Sequence, residues 1–139
     1  MRLTRRYRFS ASHRLHSPAF SEDENRELYG KCSNPYGHGH DYVLEVIAEG
    51  TMDPVSGQVV HVPTLDRLVS EQVLKDFDHH YLNADIGEFK SLVATSENII
   101  RVIEDRLTAR WSEVFPREGP RLEGIRLRET KRNLFELKS

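Results

Sequence analysis

The chain has 139 residues, of which 37% are hydrophobic and 30% are charged, and its formal net charge at pH 7 is −2. This balance excludes a broad attraction to nucleic acid or membranes, and the single cysteine, Cys32, excludes an internal disulfide and a cysteine-rich zinc ribbon. We therefore expect one soluble domain over residues 1–139, located in the cytoplasm, where the lone thiol stays reduced.

The first predicted element is a β-strand over residues 2–13, because apolar and polar side chains alternate along it. Phe9 and Ala11 share one face, and His13 follows in phase with them at the far end of the strand. Residues 14–37 form a long excursion that ends in Gly, Asn and Pro signals. Long loops in compact domains are usually functional or disordered, and these signals favour an ordered, turning loop.

A second strand is predicted over residues 38–49, where His38, His40 and Tyr42 share one face. Residues 53–57 have the composition of a turn. The apolar residues 59 and 60 then suggest a short return strand, so we expect a small hairpin arm.

Two helices and two further strands are predicted in the rest of the chain. Apolar side chains keep helical spacing over residues 65–73 and again over residues 99–107, with Thr95 as the N-cap of the second helix. Alternation returns at residues 125–128 and 134–137. The order strand, strand, helix, helix, strand, strand predicts an α+β fold with an antiparallel sheet.

The segment His38-Gly39-His40 suggests a metal site. Its two imidazoles lie on one side of a strand, roughly 6.5–7 Å apart along it. His13 ends a different strand and is the best third ligand. Three protein ligands leave the fourth position of tetrahedral zinc open, which is the catalytic pattern. From the residues alone, ordinary histidines remain an alternative, and copper or nickel also accepts such nitrogens.

Longer motifs make the chain similar to a known family. They are Phe9–Leu15, Gly30–His40, Asp53–Gly57, Asp78–Asn83, Thr95–Asn98 and Glu129–Thr130. In this order they resemble the 6-pyruvoyl-tetrahydropterin synthase family, which includes the bacterial 6-carboxytetrahydropterin synthases. The resemblance implies the tunnelling fold: a four-stranded antiparallel sheet with two antiparallel helices on one face. It also implies a homohexamer, formed by two trimers, with active sites between subunits.

The resemblance assigns roles to nine residues. It implies a Zn²⁺ ion held by three histidines: His13, His38 and His40. It implies three residues that handle protons: the base Cys32 and the pair Asp78 and His79. It implies three residues that bind the substrate: Glu129, which anchors the pterin ring, Thr95 and Ser96. Without the resemblance, Cys32 would be a small buried residue, Asp78 a helix cap or ion-pair partner, and Glu129 a strand residue paired with an arginine.

The implied reaction is the zinc-dependent conversion of the small molecule 7,8-dihydroneopterin triphosphate to 6-pyruvoyltetrahydropterin, with loss of triphosphate. The alternative product is 6-carboxytetrahydropterin, of the queuosine pathway. Five residues separate Cys32 from His38, and a turn of the form Asp-Pro-x-x-Gly follows; both features favour the pyruvoyl product. Residues that could hold the triphosphate are candidates by charge only: Arg5, Arg6, Arg8, Arg14 and Lys31.

Two other classes of function compete with this interpretation. A non-catalytic pterin- or zinc-binding protein would not need Cys32, Asp78 or His79. Another tunnelling-fold enzyme, such as a cyclohydrolase or an aldolase, would not require the histidine set together with Cys32. A folate-pathway branch of the family carries Glu where this chain has Cys32, so the cysteine argues against that branch.

Overall fold

Five strands form one sheet in the computed structural model of the chain, which describes residues 1–139. Strands β1 (Arg2–His13) and β2 (His38–Glu49) pair antiparallel along their whole length. The two-residue strand β3 (His80–Tyr81) lies parallel to the end of β1. On the other side, β4 (Arg121–Arg128) pairs antiparallel with β2, and β5 (Leu134–Lys138) pairs antiparallel with β4. The strand order is therefore β3-β1-β2-β4-β5.

The α+β class is confirmed, but two details predicted for the sheet are wrong. The sheet has five strands and is mixed, not four-stranded and antiparallel, because β3 joins the free edge of β1. The hairpin arm does not form, since β2 already pairs with β1 on one edge and β4 on the other. Val59 and Val60 lie in a bend, and Val60 is buried in the core instead of pairing with a strand.

Two long helical segments cover one face of the sheet. The first consists of α2 (Val62–Val69), a π-helical turn (Ser70–Leu74) and α3 (Lys75–Phe77), and it runs without a break. After the short helix α4 (Leu82–Asp85) and a 3₁₀ turn (Gly87–Lys90), the second is α5 (Ser96–Val114).

These two segments run antiparallel, because the first turn of α2 and the last turn of α5 line the same cavity. The N-cap prediction for α5 is confirmed: the Thr95 hydroxyl accepts the Asn98 N–H at 3.3 Å. No helix in the chain combines the length and the apolar character that crossing a bilayer requires.

The core lies between the helices and the inward face of the sheet, where 25 hydrophobic residues are buried. Phe9 and Tyr42 stack on this face with ring centroids 4.9 Å apart. Both residues are in phase with the apolar alternation of their strands, and the same phase carries His13 to complete burial, at 0% exposure. The hydrophobic face of β1 therefore leads directly into a cluster of polar side chains at the end of the sheet.

The excursion between β1 and β2 contains structure that the loop prediction missed. It holds α1 (Glu22–Tyr29) and a 3₁₀ turn (Gly30–Ser33) that carries Cys32. Ser21 and Glu24 form a capping box, each side chain accepting the other's backbone N–H. Asn25 is fully buried beside them and holds the preceding segment through its side-chain amide.

Candidate metal and catalytic site

The register of β1 and β2 brings the predicted histidines to one end of the sheet. His13 lies directly opposite His38, and His40 follows two residues later on the same face of β2. The Nε2 atoms of His13 and His40 are 3.1 Å apart. Two of the three histidines predicted as metal ligands therefore direct their ring nitrogens at the same point.

His13 is held in the tautomer that suits a metal ligand. Its Nδ1 lies 2.8 Å from the carbonyl oxygen of Ala94. Because a carbonyl only accepts hydrogen bonds, Nδ1 carries the proton and Nε2 offers its lone pair toward His40. Burial lowers the pKa of both His13 and His40, which favours the neutral imidazole that binds metals.

Cys32 and Glu129 complete a group of four potential ligands. One donor atom from each of His13, Cys32, His40 and Glu129 lies within 4.8 Å of all the others. An Oε1 atom of Glu129 is 3.1 Å from His40 Nε2 and 3.9 Å from His13 Nε2. Nitrogen ligands of a tetrahedral zinc ion lie about 3.3 Å apart, from Zn–N bonds of about 2.0–2.1 Å. The residues present therefore fit a metal ion of this kind.

His38 occupies a different position from the one predicted for a ligand. Its ring centroid is 4.6 Å from that of His40, but its nitrogens do not join the group of four. The side chain is exposed and lines a neighbouring cavity with Arg14 and Lys31. Its role as a ligand stays a prediction.

The Cys32 thiol is half-buried, and its backbone is anchored near the end of β1. The Cys32 carbonyl accepts the Leu15 N–H at 2.6 Å. Burial raises the pKa of the thiol, and the nearby Glu129 carboxylate raises it further. A bound cation acts in the opposite direction, since positive charge stabilises a thiolate.

Asp78 and His79 lie at the edge of the sheet and form a pair of their own. Asp78 Oδ2 is 3.6 Å from His79 Nε2, and Asp78 Oδ1 accepts the backbone N–H of Ser10 at 2.9 Å. His79 is 82% exposed on its side chain and has a φ of 60°, which is uncommon for a residue other than glycine. No hydrogen bond or ion pair links this pair to Cys32 or Glu129 within the chain. The structure thus gives the relay pair and the histidine group separate places.

Thr95 and Ser96, predicted to bind the substrate, begin α5 next to the histidine group. The Thr95 hydroxyl is used by the helix cap, whereas the Ser96 hydroxyl is buried without a partner. The preceding residue, Ala94, supplies the carbonyl that orients His13. The segment at the start of α5 therefore orients His13 of the metal-binding group.

Two contributors to the site were absent from the sequence prediction. Tyr42 is 1% exposed, its ring centroid lies 5.6 Å from that of His40, and its hydroxyl has no hydrogen-bond partner. Its place in phase with His38 and His40 was a usable signal. The Ala94 carbonyl gave no signal, because a backbone oxygen acquires this role only when the tertiary fold brings it within reach of His13.

Comparisons with known proteins agree with this arrangement. A family model described as 6-pyruvoyl tetrahydropterin synthase matches residues 2–139. The chain is 41% identical over 132 residues to a 6-pyruvoyl tetrahydrobiopterin synthase of Poecilia reticulata, covering 95% of this chain and 86% of the relative. It is 42% identical over 105 residues to the Homo sapiens protein of the same name, covering 76% and 72%.

Solved structures share the fold. A Caenorhabditis elegans 6-pyruvoyl tetrahydropterin synthase superposes with a TM-score of 0.88 at 38% identity, covering 100% of this chain and 95% of that one. A Plasmodium vivax protein of the same name, at 14% identity and a TM-score of 0.69, shows the likeness of fold alone. The extent and identity of these matches establish that the chain belongs to the 6-pyruvoyl tetrahydropterin synthase family.

Proposed function

We propose that this protein is a zinc-dependent lyase that converts 7,8-dihydroneopterin triphosphate to 6-pyruvoyltetrahydropterin and triphosphate, in tetrahydrobiopterin biosynthesis. The observation that carries the proposal is the convergence of His13, Cys32, His40 and Glu129 donor atoms within 4.8 Å of one another. Such a group combines metal ligands with a thiol base and a carboxylate in one place. The relatives named as 6-pyruvoyl tetrahydrobiopterin synthases support the choice of reaction.

We assign the zinc to His13, His38 and His40. A shell made of His13, His40, Cys32 and Glu129 would use four protein ligands, which is the closed pattern of structural zinc sites. The His38 ring is exposed and lies next to the His40 ring. We expect its side chain to rotate so that an imidazole nitrogen takes the position of the Glu129 carboxylate. This assignment keeps one coordination position for the substrate and leaves Cys32 and Glu129 free to act on it.

Each remaining residue then has a defined task. Zinc, when bound, lowers the pKa of hydroxyls that coordinate it and stabilises the negative charge that develops on them. The Cys32 thiolate removes a proton from a side-chain carbon of the substrate as a general base. Glu129 accepts two parallel hydrogen bonds from the amino group and ring N–H of the pterin. The net change is loss of triphosphate with internal hydrogen shifts, so no external oxidant or reductant is needed.

We further propose that residues 1–139 act as one domain of a homohexamer in the cytoplasm. The separation of Asp78 and His79 from Cys32 supports an assembly in which the pair serves the site of a neighbouring copy. The half-buried thiol suits a reducing compartment. Sedimentation analysis of the purified protein tests the assembly. A monomer that turns over substrate at full rate would reject the shared site.

The reaction is tested by incubating zinc-loaded protein with 7,8-dihydroneopterin triphosphate and identifying the products by mass spectrometry. We expect 6-pyruvoyltetrahydropterin and inorganic triphosphate in equal amounts. Acetaldehyde with 6-carboxytetrahydropterin would instead assign the alternative product of the same substrate. Unchanged substrate would reject the enzyme assignment.

The role of Cys32 is tested by Cys32→Ala with zinc content measured in parallel. We expect zinc to be retained and turnover to fall at least about 100-fold, the usual contribution of a general base. Tyr36→Ala is the matched control, because Tyr36 lies in the same segment and is 95% exposed. Loss of zinc from the Cys32 variant would show that the thiol is a ligand and not the base.

A further inference from the structure

A polar cavity of about 420 Å³ opens beside the metal-binding group. His38 lines it, and so do Lys31 and Ser33, the two neighbours of Cys32 in the chain. Arg14, which follows His13, lines it as well. His38 and the chain neighbours of His13 and Cys32 thus form one wall of a second compartment, and none of its lining residues is hydrophobic.

The charge of this compartment is opposite to that of the whole chain. Arg14, Arg26 and Lys31 contribute three positive charges against the single carboxylate of Glu22, whereas the chain as a whole carries −2. Arg26 also contacts Asp23, so Arg14 and Lys31 are its least neutralised cations. A concave site lined by unneutralised cations attracts anions of high charge density.

Arg14 is fixed in place, and part of its guanidinium group has no hydrogen-bond partner. Its backbone exchanges two hydrogen bonds with the Asn83 side chain, both at 2.8 Å. Its Nε donates to the Ser33 carbonyl oxygen at 3.2 Å, and its terminal nitrogens donate to nothing in the chain. The Nδ1 atom of His16 is also buried in this region without a partner. Preordered donors of this kind suit phosphate oxygens, which accept paired hydrogen bonds from a guanidinium group.

We propose that this cavity binds the polyphosphate group of the ligand, with Arg14 and Lys31 as its main contacts. The proposal rests on the proposed function, because the substrate carries its triphosphate on the carbon next to the hydroxyl-bearing carbons that face the metal. The first phosphate therefore lies close to the metal-binding group, and the rest of the triphosphate must extend away from it. The cavity beside His38 offers that exit, and inorganic triphosphate released by the reaction would occupy the same place.

Binding of inorganic tripolyphosphate, measured by calorimetry at low and high salt, tests the cavity apart from catalysis. Zinc-loaded and zinc-free protein are both titrated, since tripolyphosphate also binds zinc. We expect binding in both forms, weakened at least about tenfold by Arg14→Gln with Lys31→Gln. Lys75→Gln with Lys90→Gln removes the same charge from exposed sites and should leave the affinity unchanged. Binding that requires zinc, or that both double variants weaken equally, would overturn the proposal.

A kinetic experiment separates this proposal from the proposed function. Lys31→Gln alone, whose side chain makes no hydrogen bond, should raise KM for the triphosphate substrate. It should leave inhibition by the unphosphorylated 7,8-dihydroneopterin unchanged. If the protein is inactive but tripolyphosphate binding still depends on Arg14 and Lys31, the cavity stands and the reaction fails. If the protein is active and KM is insensitive to both residues, the cavity fails and the reaction stands.

Discussion

Asn25 anchors the start of helix α1, which leads directly into the 3₁₀ turn that carries Cys32, and its replacement by alanine gives our most quantitative prediction. Its side-chain amide donates to the carbonyl oxygens of Ser17, Phe20 and Ser21, and its oxygen accepts the Ser17 N–H at 2.7 Å. Two of these four groups have other partners in the chain: the Ser17 and Ser21 carbonyls also accept backbone N–H groups. The Ser17 N–H and the Phe20 carbonyl have none. Asn25→Ala therefore orphans two polar groups.

An orphaned buried polar group costs about 1–3 kcal/mol. With partial access of water to the opened site, we expect a loss of about 2–4 kcal/mol for the two groups together. Asn25 is the only buried residue of α1, so the loss falls on local opening of this segment and not on the whole domain. A change of this size raises the local opening constant roughly 30- to 700-fold.

Amide hydrogen exchange over α1 measures this opening directly. We expect faster exchange in α1, faster alkylation of Cys32 and lower turnover, with the amides of α5 unaffected. Glu27→Ala is the control on the same helix, because Glu27 is exposed and should change stability by no more than about 0.5 kcal/mol. Unchanged exchange in Asn25→Ala, or equal acceleration in α1 and α5, would refute the reasoning.

Three further predictions follow from backbone strain, charge and packing. His79→Asn should raise the free energy of unfolding by up to about 1 kcal/mol, because Asn tolerates a φ of 60°, and should lower turnover; His80→Asn is the control, since its φ is not positive. The hydrogen bond from Arg106 lowers the pKa of Glu88 in the folded protein. The ionised Glu88 therefore stabilises the fold at pH values above its unfolded-state pKa, and this contribution is lost as the pH falls through its folded-state pKa. Glu88→Gln should therefore destabilise the protein at pH 7 and flatten the acid limb of urea midpoints measured against pH. Gly124→Ala should cost about 1–3 kcal/mol in urea denaturation, because its Cβ would lie 2.6 Å from a backbone carbonyl oxygen of β5; wild-type stability would contradict this.

The two long strands were predictable because one face of each strand packs against the core while the other faces water. Alternation fixed β2 at residues 38–49 and placed His13 and His40 on the buried side. The apolar residues at helical spacing predicted α5 equally well, and its N-cap at Thr95 was predicted too. In each case the local periodicity of apolar residues identifies the side of the element that packs against the core.

Elements whose existence depends on a distant partner were not predictable. The two-residue strand β3 is stabilised by the free edge of β1, and no pattern marks it. The hairpin arm was ruled out by β4, which takes the edge of β2 from about 80 residues further along the chain. Helix α1 is a different case, since the Ser21 and Glu24 capping box was visible in the sequence. Its exposed, polar surface lacks the apolar periodicity that marks an amphipathic helix.

The candidate site shows the same division. The histidine spacing predicted a metal, and the phase of the strands predicted which face would hold it. What spacing could not give is the competition for the position beside His40, where the Glu129 carboxylate lies at 3.1 Å and His38 lies outside. His38 is the first residue of β2, and Glu129 directly follows the last residue of β4. The proposed assignment puts three histidine nitrogens on the ion and turns the carboxylate to the substrate, which leaves one position of a tetrahedral shell open. Rotation of His38 toward the metal would also take its side chain out of the cavity of Arg14 and Lys31 and widen the space for phosphate. We therefore expect metal binding and polyphosphate binding to support each other.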